Sequence, residues 1–237
     1  MIIPISCTQQ LTLKEFYDNT CLGQSIIKHR KVGNICGAEK IFLDNKKGLS
    51  ECYNEAIEIM IESVKAGAIP EDSILMFVHD DLYISDIFLK EKLEKAMETY
   101  DVVGVAGSSD FSLNRERIGW HISPKESWAG FVEHPYTNSV DDQTYMSYFG
   151  PTPKNVAVID GLIICVKLKS LMDNNIRFQE QYKFHLYDTA FCLECLKKQL
   201  KIGVINLHVY HLSHGLGLNS EEYLEGEKLL RKQYGSK

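Results

Sequence analysis

The sequence predicts an α/β fold with a mixed, mainly parallel central sheet flanked by helices. Between residues 48 and 67 apolar residues recur three or four apart, the pattern of a helix packed on one face. Ser50 is expected to help cap its start. The run SILMFV that follows is almost entirely apolar, as in a strand buried on both faces. Because helix and strand alternate, we expect parallel strands joined by right-handed crossovers.

The alternation of helix and strand continues toward the C-terminus. Residues 86–100 are predicted as a helix, and DVVGVAG after them as another buried strand. The run NVAVIDGLIICVKLKSL restores the strand pattern, and Asp160 with Gly161 interrupts it at an expected bend. A helix over 187–200, the β-rich run KIGVINLHVYHLSHG and a charged helical tail from residue 220 complete the prediction.

A less regular region lies between residues 111 and 155, where Gly, Pro, Ser and aromatic residues are interleaved. Loops and short edge strands are expected there. Because long irregular stretches inside compact domains are usually functional, we assign this region to acceptor recognition. Trp120 and Trp128 lie within it, and an exposed indole face would suit an acceptor ring, although core packing explains either residue equally well.

Composition limits the class of protein. A chain of 237 residues, 44% hydrophobic and 24% charged, can bury one sizeable core. Its net charge of -6 provides no long-range positive field for nucleic acid or anionic lipid. The seven cysteines are odd in number and scattered, which favours reduced thiols over a disulfide framework, and the Cys192–Cys195 pair is expected to pack in the core.

The N-terminal sequence predicts a cytoplasmic location. MIIPISCTQQ lacks the basic segment and long apolar run of a secretory signal. No window approaches the ~20 apolar residues needed to cross a bilayer. Peripheral association with a membrane-bound acceptor stays open.

Two adjacent carboxylates, Asp80 and Asp81, follow the apolar strand SILMFV. Ligands bind open α/β sheets at the carboxyl ends of their strands, so this pair lies at the edge of the sheet where a ligand would bind. A divalent cation such as Mn²⁺ or Mg²⁺ would satisfy carboxylates beside a low-dielectric core. Neighbouring side chains of an extended chain point opposite ways, so only one of the two is expected to contact the metal. Opening a turn or capping a helix is the alternative role.

Three histidines recur every third residue near the C-terminus: His208, His211 and His214. A strand would place His208 and His211 on opposite faces, so at most two of the three are expected to converge. One of His211 and His214 can reach the same edge as Asp81. A surface position without a ligand is the alternative for each.

Asp188 lies where the predicted helix over 187–200 begins. The partial positive charge of a helix N-terminus is expected to keep this carboxylate ionised. An ionised carboxylate within reach of a bound hydroxyl can act as a general base. Helix capping is the alternative.

Five segments in order resemble the family 2 glycosyltransferases, most closely their bacterial and viral glycosyltransferase-like branch. They are GLSECYNEAI, LMFVHDD, VIDGLIICVK, FHLYDTAFCLEC and KIGVINLHVYHLSHG, and they cover roughly residues 48–215. The resemblance implies a glycosyltransferase-A type nucleotide-binding sandwich. It also implies metal-dependent transfer of a sugar from a nucleotide-diphosphate donor.

The resemblance assigns the chemistry to a few residues. The family's acidic DxD-type motif corresponds to HDD here, which implies that Asp81 binds the metal and Asp80 the donor ribose or phosphate. Asp188 inherits the role of the base in inverting members. His211, with His214 as its rival, corresponds to a late histidine near the metal.

Further positions implied by the resemblance surround the donor. Asn54 corresponds to an asparagine that shapes the nucleotide pocket. Asp160 and Gly161 correspond to the loop beneath the donor sugar, and Ser6 at the end of the first strand is a further candidate for the nucleoside pocket.

The resulting prediction is one glycosyltransferase-A-like domain over 1–237. A nucleotide-binding half over 1–110 precedes an acceptor-binding and catalytic half over 111–219 and a helical tail over 220–237. UDP is the donor nucleotide by resemblance, the acceptor is a glycan or glycoconjugate, and a histidine ligand favours Mn²⁺ over Mg²⁺. A nucleotidyltransferase and a non-catalytic nucleotide-sugar-binding module are the alternatives.

Overall fold

The structure, a computed structural model, describes residues 1–136, 143–212 and 220–235. The helices in these ranges are α1 (Leu13–Asn19), α2 (Cys21–Lys31), α3 (Leu49–Lys65), α4 (Leu89–Met97), α5 (Leu168–Asn174), α6 (Tyr187–Lys197) and α7 (Glu221–Tyr234). The strands are β1 (Ile2–Cys7), β2 (Lys40–Phe42), β3 (Ile74–Val78), β4 (Leu82–Ile84), β5 (Val102–Gly104), β6 (Ala106–Ser108), β7 (Trp128–Pro135), β8 (Thr144–Gly150), β9 (Lys154–Asn155), β10 (Val158–Ile159), β11 (Ile163–Lys167), β12 (Ile202–Val204) and β13 (Val209–His211).

The larger sheet has the strand order β2-β1-β3-β11-β5-β12-β9. Strands β2, β1 and β3 are parallel, as the alternation of helix and strand predicts. Strand β11 runs antiparallel to both of its neighbours, so the sheet is mixed. All five residues of β3 are buried, which explains its apolar sequence and places the acidic pair that follows it at the edge of the sheet.

The second sheet has the order β10-β6-β7-β13-β4, with β8 paired to β7. The antiparallel pair of β7, with eight residues, and β8, with seven, falls in the region predicted as loops and short edge strands, and that prediction is wrong for this pair. The strand pattern is weak because β8 is exposed over most of its length and carries polar and aromatic residues on both faces.

Helix α3 confirms the amphipathic pattern, but not its predicted cap. Gly48 is the N-cap and makes no side-chain bond, whereas the Ser50 hydroxyl donates to the Tyr182 carbonyl at 2.7 Å. The Leu49 amide donates to the Lys183 carbonyl, also at 2.7 Å. The start of α3 therefore fixes the segment that precedes α6, and this segment contributes to the site described below.

The buried residues form a hydrophobic cluster that extends from Ile2 to Leu230. Cys192 and Cys195 are buried within it, as predicted, and all seven cysteines are free. Of the helices in the described ranges, none combines the length and apolarity that crossing a bilayer requires.

Candidate active site

The two carboxylates after β3 point to different surroundings. Asp80 lines a cleft together with Thr8, whose hydroxyl hydrogen-bonds to it. Asp81 instead faces His211, whose Nε2 lies 3.3 Å from Asp81 Oδ1. Both residues lie in the turn between β3 and β4, in which the Leu82 amide donates to the His79 carbonyl at 3.3 Å, so this turn and not strand alternation directs their side chains to different surroundings.

His79, Asp81 and His211 form a cluster that could hold a cation. One ligand atom from each residue lies within 4.8 Å of the others. The elements explain the convergence, because His79 and Asp81 follow β3 while His211 ends β13, which pairs with β4 beside them. We call these three residues the His–Asp–His cluster.

Tyr187 orients His79. The Tyr187 hydroxyl donates to the Gly161 carbonyl at 2.6 Å, and it lies 3.0 Å from His79 Nε2. Because a hydroxyl has one proton and the carbonyl can only accept, His79 Nε2 must donate to Tyr187. In the neutral ring this leaves the Nδ1 lone pair free for a metal. Burial lowers the pKa of His79, which favours that neutral ring.

The electrostatics of the cluster fit a divalent cation. Burial acts to raise the pKa of Asp81, but His211 and His79 outweigh it and the pKa is lowered, so the carboxylate is anionic. Within the described residues, buried Asp81 Oδ1 has no hydrogen-bond partner, because the His211 contact falls short of hydrogen-bond geometry. A cation would satisfy this orphaned oxygen. Two imidazoles and one carboxylate suit a transition metal better than Mg²⁺.

Asp188 lies in a small cavity of about 130 Å³ next to this cluster. Its carboxylate accepts from the Gly161 amide at 2.8 Å and from the Thr189 amide at 2.6 Å. Burial, followed by the charge of Asp160, raises the pKa of Asp188 to about 7 despite these hydrogen bonds. The prediction that the helix N-terminus keeps it ionised is therefore wrong in direction. A carboxylate with this pKa is better matched to proton abstraction near neutral pH.

Asp160 and Gly161 form the wall of the small cavity. Asp160 accepts from the Trp120 indole N–H at 2.8 Å and from the Leu162 amide at 3.0 Å. A Cβ at Gly161 would lie 2.5 Å from the Tyr187 hydroxyl, so the bend requires glycine here. These residues lie closer to Asp188 than to the cleft lined by Asp80.

The second depression is the large cleft, with a volume of about 390 Å³, which suits a small-molecule ligand. It is lined by Thr8, Gln9, Asn45, Asp80, Lys183 and Phe184, among others. Burial raises the pKa of Asp80, and the hydrogen bond from Thr8 opposes that effect. Phe184 also lines the small cavity, and its ring stacks on His79 with centroids 6.2 Å apart. The large cleft and the small cavity therefore adjoin at Phe184.

Two residues predicted to line the nucleotide pocket are placed elsewhere. Ser6 is fully buried, and its neighbours Cys7 and Thr8 line the large cleft in its place. The Asn54 amide accepts from the Phe178 amide and donates to the Phe178 carbonyl, at 2.8 and 2.9 Å. Asn54 thus anchors the segment that leads to Phe184, and it affects the large cleft only through that segment.

Of the residues predicted for acceptor binding and for the metal, some lie at the site and others do not. Trp120 lines the small cavity, whereas Trp128 lies behind it and donates its indole N–H to the Ser123 carbonyl at 3.0 Å. His208 contacts Glu133 at 2.8 Å and is absent from the His–Asp–His cluster. The rival ligand His214 lies outside the described residues.

Sequence reasoning missed four residues of the site: His79, Tyr187, Lys183 and Phe184. His79 was visible only as the first letter of HDD, and Tyr187 as the place where the resembling family has an acidic residue. Lys183 and Phe184 belong to a non-repetitive segment, and no local pattern marks them.

A model of the glycosyltransferase-like family matches residues 14–234, and the chain belongs to this family. Membership in this family supports a glycosyltransferase over the nucleotidyltransferase. No curated protein matches the chain.

Two solved structures resemble the chain. A197 from STIV has a TM-score of 0.51 at 13% identity, with 90% of this chain and 85% of A197 covered. TarS of S. aureus has a TM-score of 0.48 at 17% identity, and the match covers 98% of this chain and 39% of TarS. The likeness to A197 is a likeness of fold alone.

Proposed function

We propose that this glycosyltransferase is metal-dependent and inverting, with a nucleotide-diphosphate sugar as donor, UDP being the nucleotide preferred by family resemblance. The acceptor is a glycan or glycoconjugate hydroxyl. The observation that carries the proposal is the junction at Phe184. There the large cleft, with Asp80, meets the small cavity, with Asp188, next to the His–Asp–His cluster.

Each part of the site has a role in this reaction. The large cleft holds the nucleotide, with Asp80 and Thr8 facing its ribose or phosphates. The sugar lies at the junction, against Asp160 and Gly161, and Trp120 faces the acceptor from the small cavity. His79, Asp81 and His211 would hold a divalent cation, which when bound stabilises negative charge on the leaving diphosphate.

Asp188 performs the proton transfer. Its ionised carboxylate takes the proton from the acceptor hydroxyl while that oxygen forms a bond to the anomeric carbon. The bond from this carbon to the diphosphate oxygen breaks on the opposite face, which inverts the configuration. The hydrogen bonds from Gly161 and Thr189 hold the carboxylate in one orientation during the transfer.

The first test is calorimetric titration with UDP, GDP and CDP, each with and without Mn²⁺. We expect one nucleotide to bind in a Mn²⁺-dependent way, and Asp81→Ala to abolish that dependence. Asp173→Ala is the matched control, because Asp173 is a surface carboxylate paired only with Lys169 among the described contacts. Equal binding by the Asp81 variant and the wild type would refute the metal assignment.

A further inference from the structure

Exposed aromatic rings lead away from the His–Asp–His cluster along the β7–β8 hairpin. The rings of His211 and His134 lie 6.0 Å apart, and His134 stacks on Tyr145 at 5.4 Å with an interplanar angle of 29°. Tyr145 in turn contacts Tyr136 at 5.1 Å. Tyr136 is 53% and Tyr145 42% exposed. We call Tyr136, His134 and Tyr145 the aromatic row.

The aromatic row is continuous with the small cavity. Tyr145 is paired directly with His134, so the two rings lie on the same face of the hairpin. His134 contacts His211, whose ring lies 6.2 Å from that of His79, and His79 lines the small cavity. Four successive ring contacts thus lead from His79 to Tyr136, a path longer than a single sugar ring.

The chemistry of the row suits a carbohydrate chain. Phenol and imidazole rings offer flat apolar faces, and the tyrosine hydroxyls add hydrogen bonds at the ring edge. Sugar rings have the complementary construction, with C–H faces and hydroxyl rims. A connected set of partly exposed rings beside a cavity is the kind of apolar patch that marks a binding surface. Its continuity with the small cavity indicates that its ligand also enters that cavity.

We propose that the aromatic row binds the sugar units of the acceptor that lie beyond the reacting one, so that the acceptor is an oligosaccharide chain rather than a single sugar. This inference rests on the proposed function, because it extends the acceptor side of the same site. The reacting hydroxyl lies in the small cavity by Asp188, and the rest of the oligosaccharide follows the face of the hairpin that carries His134 and Tyr145.

The chain provides a matched control for this proposal. Tyr148 is a second tyrosine of β8 and is 70% exposed, but it lies three residues from Tyr145 and so on the opposite face. It pairs with Phe131, whereas Tyr145 pairs with His134. Tyr148→Ala therefore removes a more exposed ring from the same strand without changing the aromatic row.

The test is a printed array of mono- and oligosaccharides probed with the labelled full chain, followed by titration of the retained sugars. We expect oligosaccharides to be retained and their monomers not. Tyr145→Ala and Tyr136→Ala should each weaken oligosaccharide binding about 10-fold, the effect of losing one well-stacked ring. Tyr148→Ala should bind as the wild type does, Tyr145→Phe should lose less than Tyr145→Ala because it keeps the stacking ring, and thermal melts of all variants report their folding.

Several results would overturn the proposal. One is an array that retains no oligosaccharide, and another is equal loss of binding in the Tyr145 and Tyr148 alanine variants. A wild-type dimer in sedimentation that Tyr145→Ala dissociates would show that the row is a contact between copies of the chain. Titration with UDP and Mn²⁺ separates this outcome from failure of the proposed function. If Tyr145-dependent glycan binding occurs without nucleotide binding, the donor assignment fails and the aromatic row stands.

Discussion

Replacing Asp188 by asparagine tests the raised pKa on which the proposed base depends. Burial and the charge of Asp160 raise this pKa from 3.8 to about 7. The folded protein therefore keeps the proton on Asp188 up to about pH 7, whereas the unfolded chain releases it near pH 4. Between these values the folded state binds more protons, so the contribution of Asp188 to stability is present below pH 4 and lost as pH rises to 7.

The size of this effect follows from the pKa difference. The pKa difference corresponds to at most ~4 kcal/mol of unfolding free energy, and to less where water reaches the half-buried carboxylate. Asp188→Asn cannot ionise, so its stability relative to the wild type should rise by up to that amount between pH 4.5 and pH 8. Denaturant unfolding of both proteins with a chelator present measures the difference. Asp173→Asn, a surface substitution, is the control and should show a nearly constant difference.

The same pKa predicts the pH dependence of turnover. The base must be ionised to accept a proton, so kcat/KM should rise with pH up to about 7 and then level off. Asp188→Asn should lower turnover by ~100- to 10,000-fold while nucleotide affinity stays close to wild type. A stability difference that is flat across the pH range, together with a flat rate profile, would refute a raised pKa at this residue.

Three further predictions concern the surrounding residues. Tyr187→Phe removes the hydroxyl that orients His79 and should weaken Mn²⁺ binding ~10- to 100-fold in a calorimetric titration; unchanged affinity would show that the contact is not needed. Gly161→Ala places a Cβ against the Tyr187 hydroxyl and should lower the free energy of unfolding by ~1–3 kcal/mol, whereas Gly226→Ala in α7 should be neutral or stabilising in the same melts. Lys183→Ala should weaken UDP binding several-fold without changing Mn²⁺ affinity, and an equal loss of both would contradict its place in the large cleft.

The sequence predicted the framework of the site because the framework depends on local patterns. An apolar run followed by two carboxylates is enough to place Asp80 and Asp81 at a sheet edge, but they lie in a turn there and not in the extended chain from which their divergence is predicted. The order of the later motifs was enough to place Asp188 at the start of α6. Each of these statements needs only the period of the element and the position of the residue in it.

The parts that sequence could not predict depend on long-range packing. Asn54 bonds to Phe178, more than one hundred residues away, and this contact decides whether its amide faces a ligand. Ser6 and Thr8 have similar chemistry, but only Thr8 lies beyond the buried end of β1. The pKa of Asp188 cannot be predicted from the sequence, which shows the helix N-terminus but not the burial and the neighbouring Asp160 that raise it.

The distribution of charge in the site explains why donor and metal should bind together. Asp80, Asp81, Asp160 and Asp188 surround the junction of the large cleft and the small cavity. A nucleotide diphosphate would bring further negative charge into this acidic surrounding, where like charges repel strongly because the walls are poorly solvated. A cation held by the His–Asp–His cluster would reverse the local sign. Loss of Asp81 should therefore weaken nucleotide binding, although Asp80 is the carboxylate that lines the large cleft.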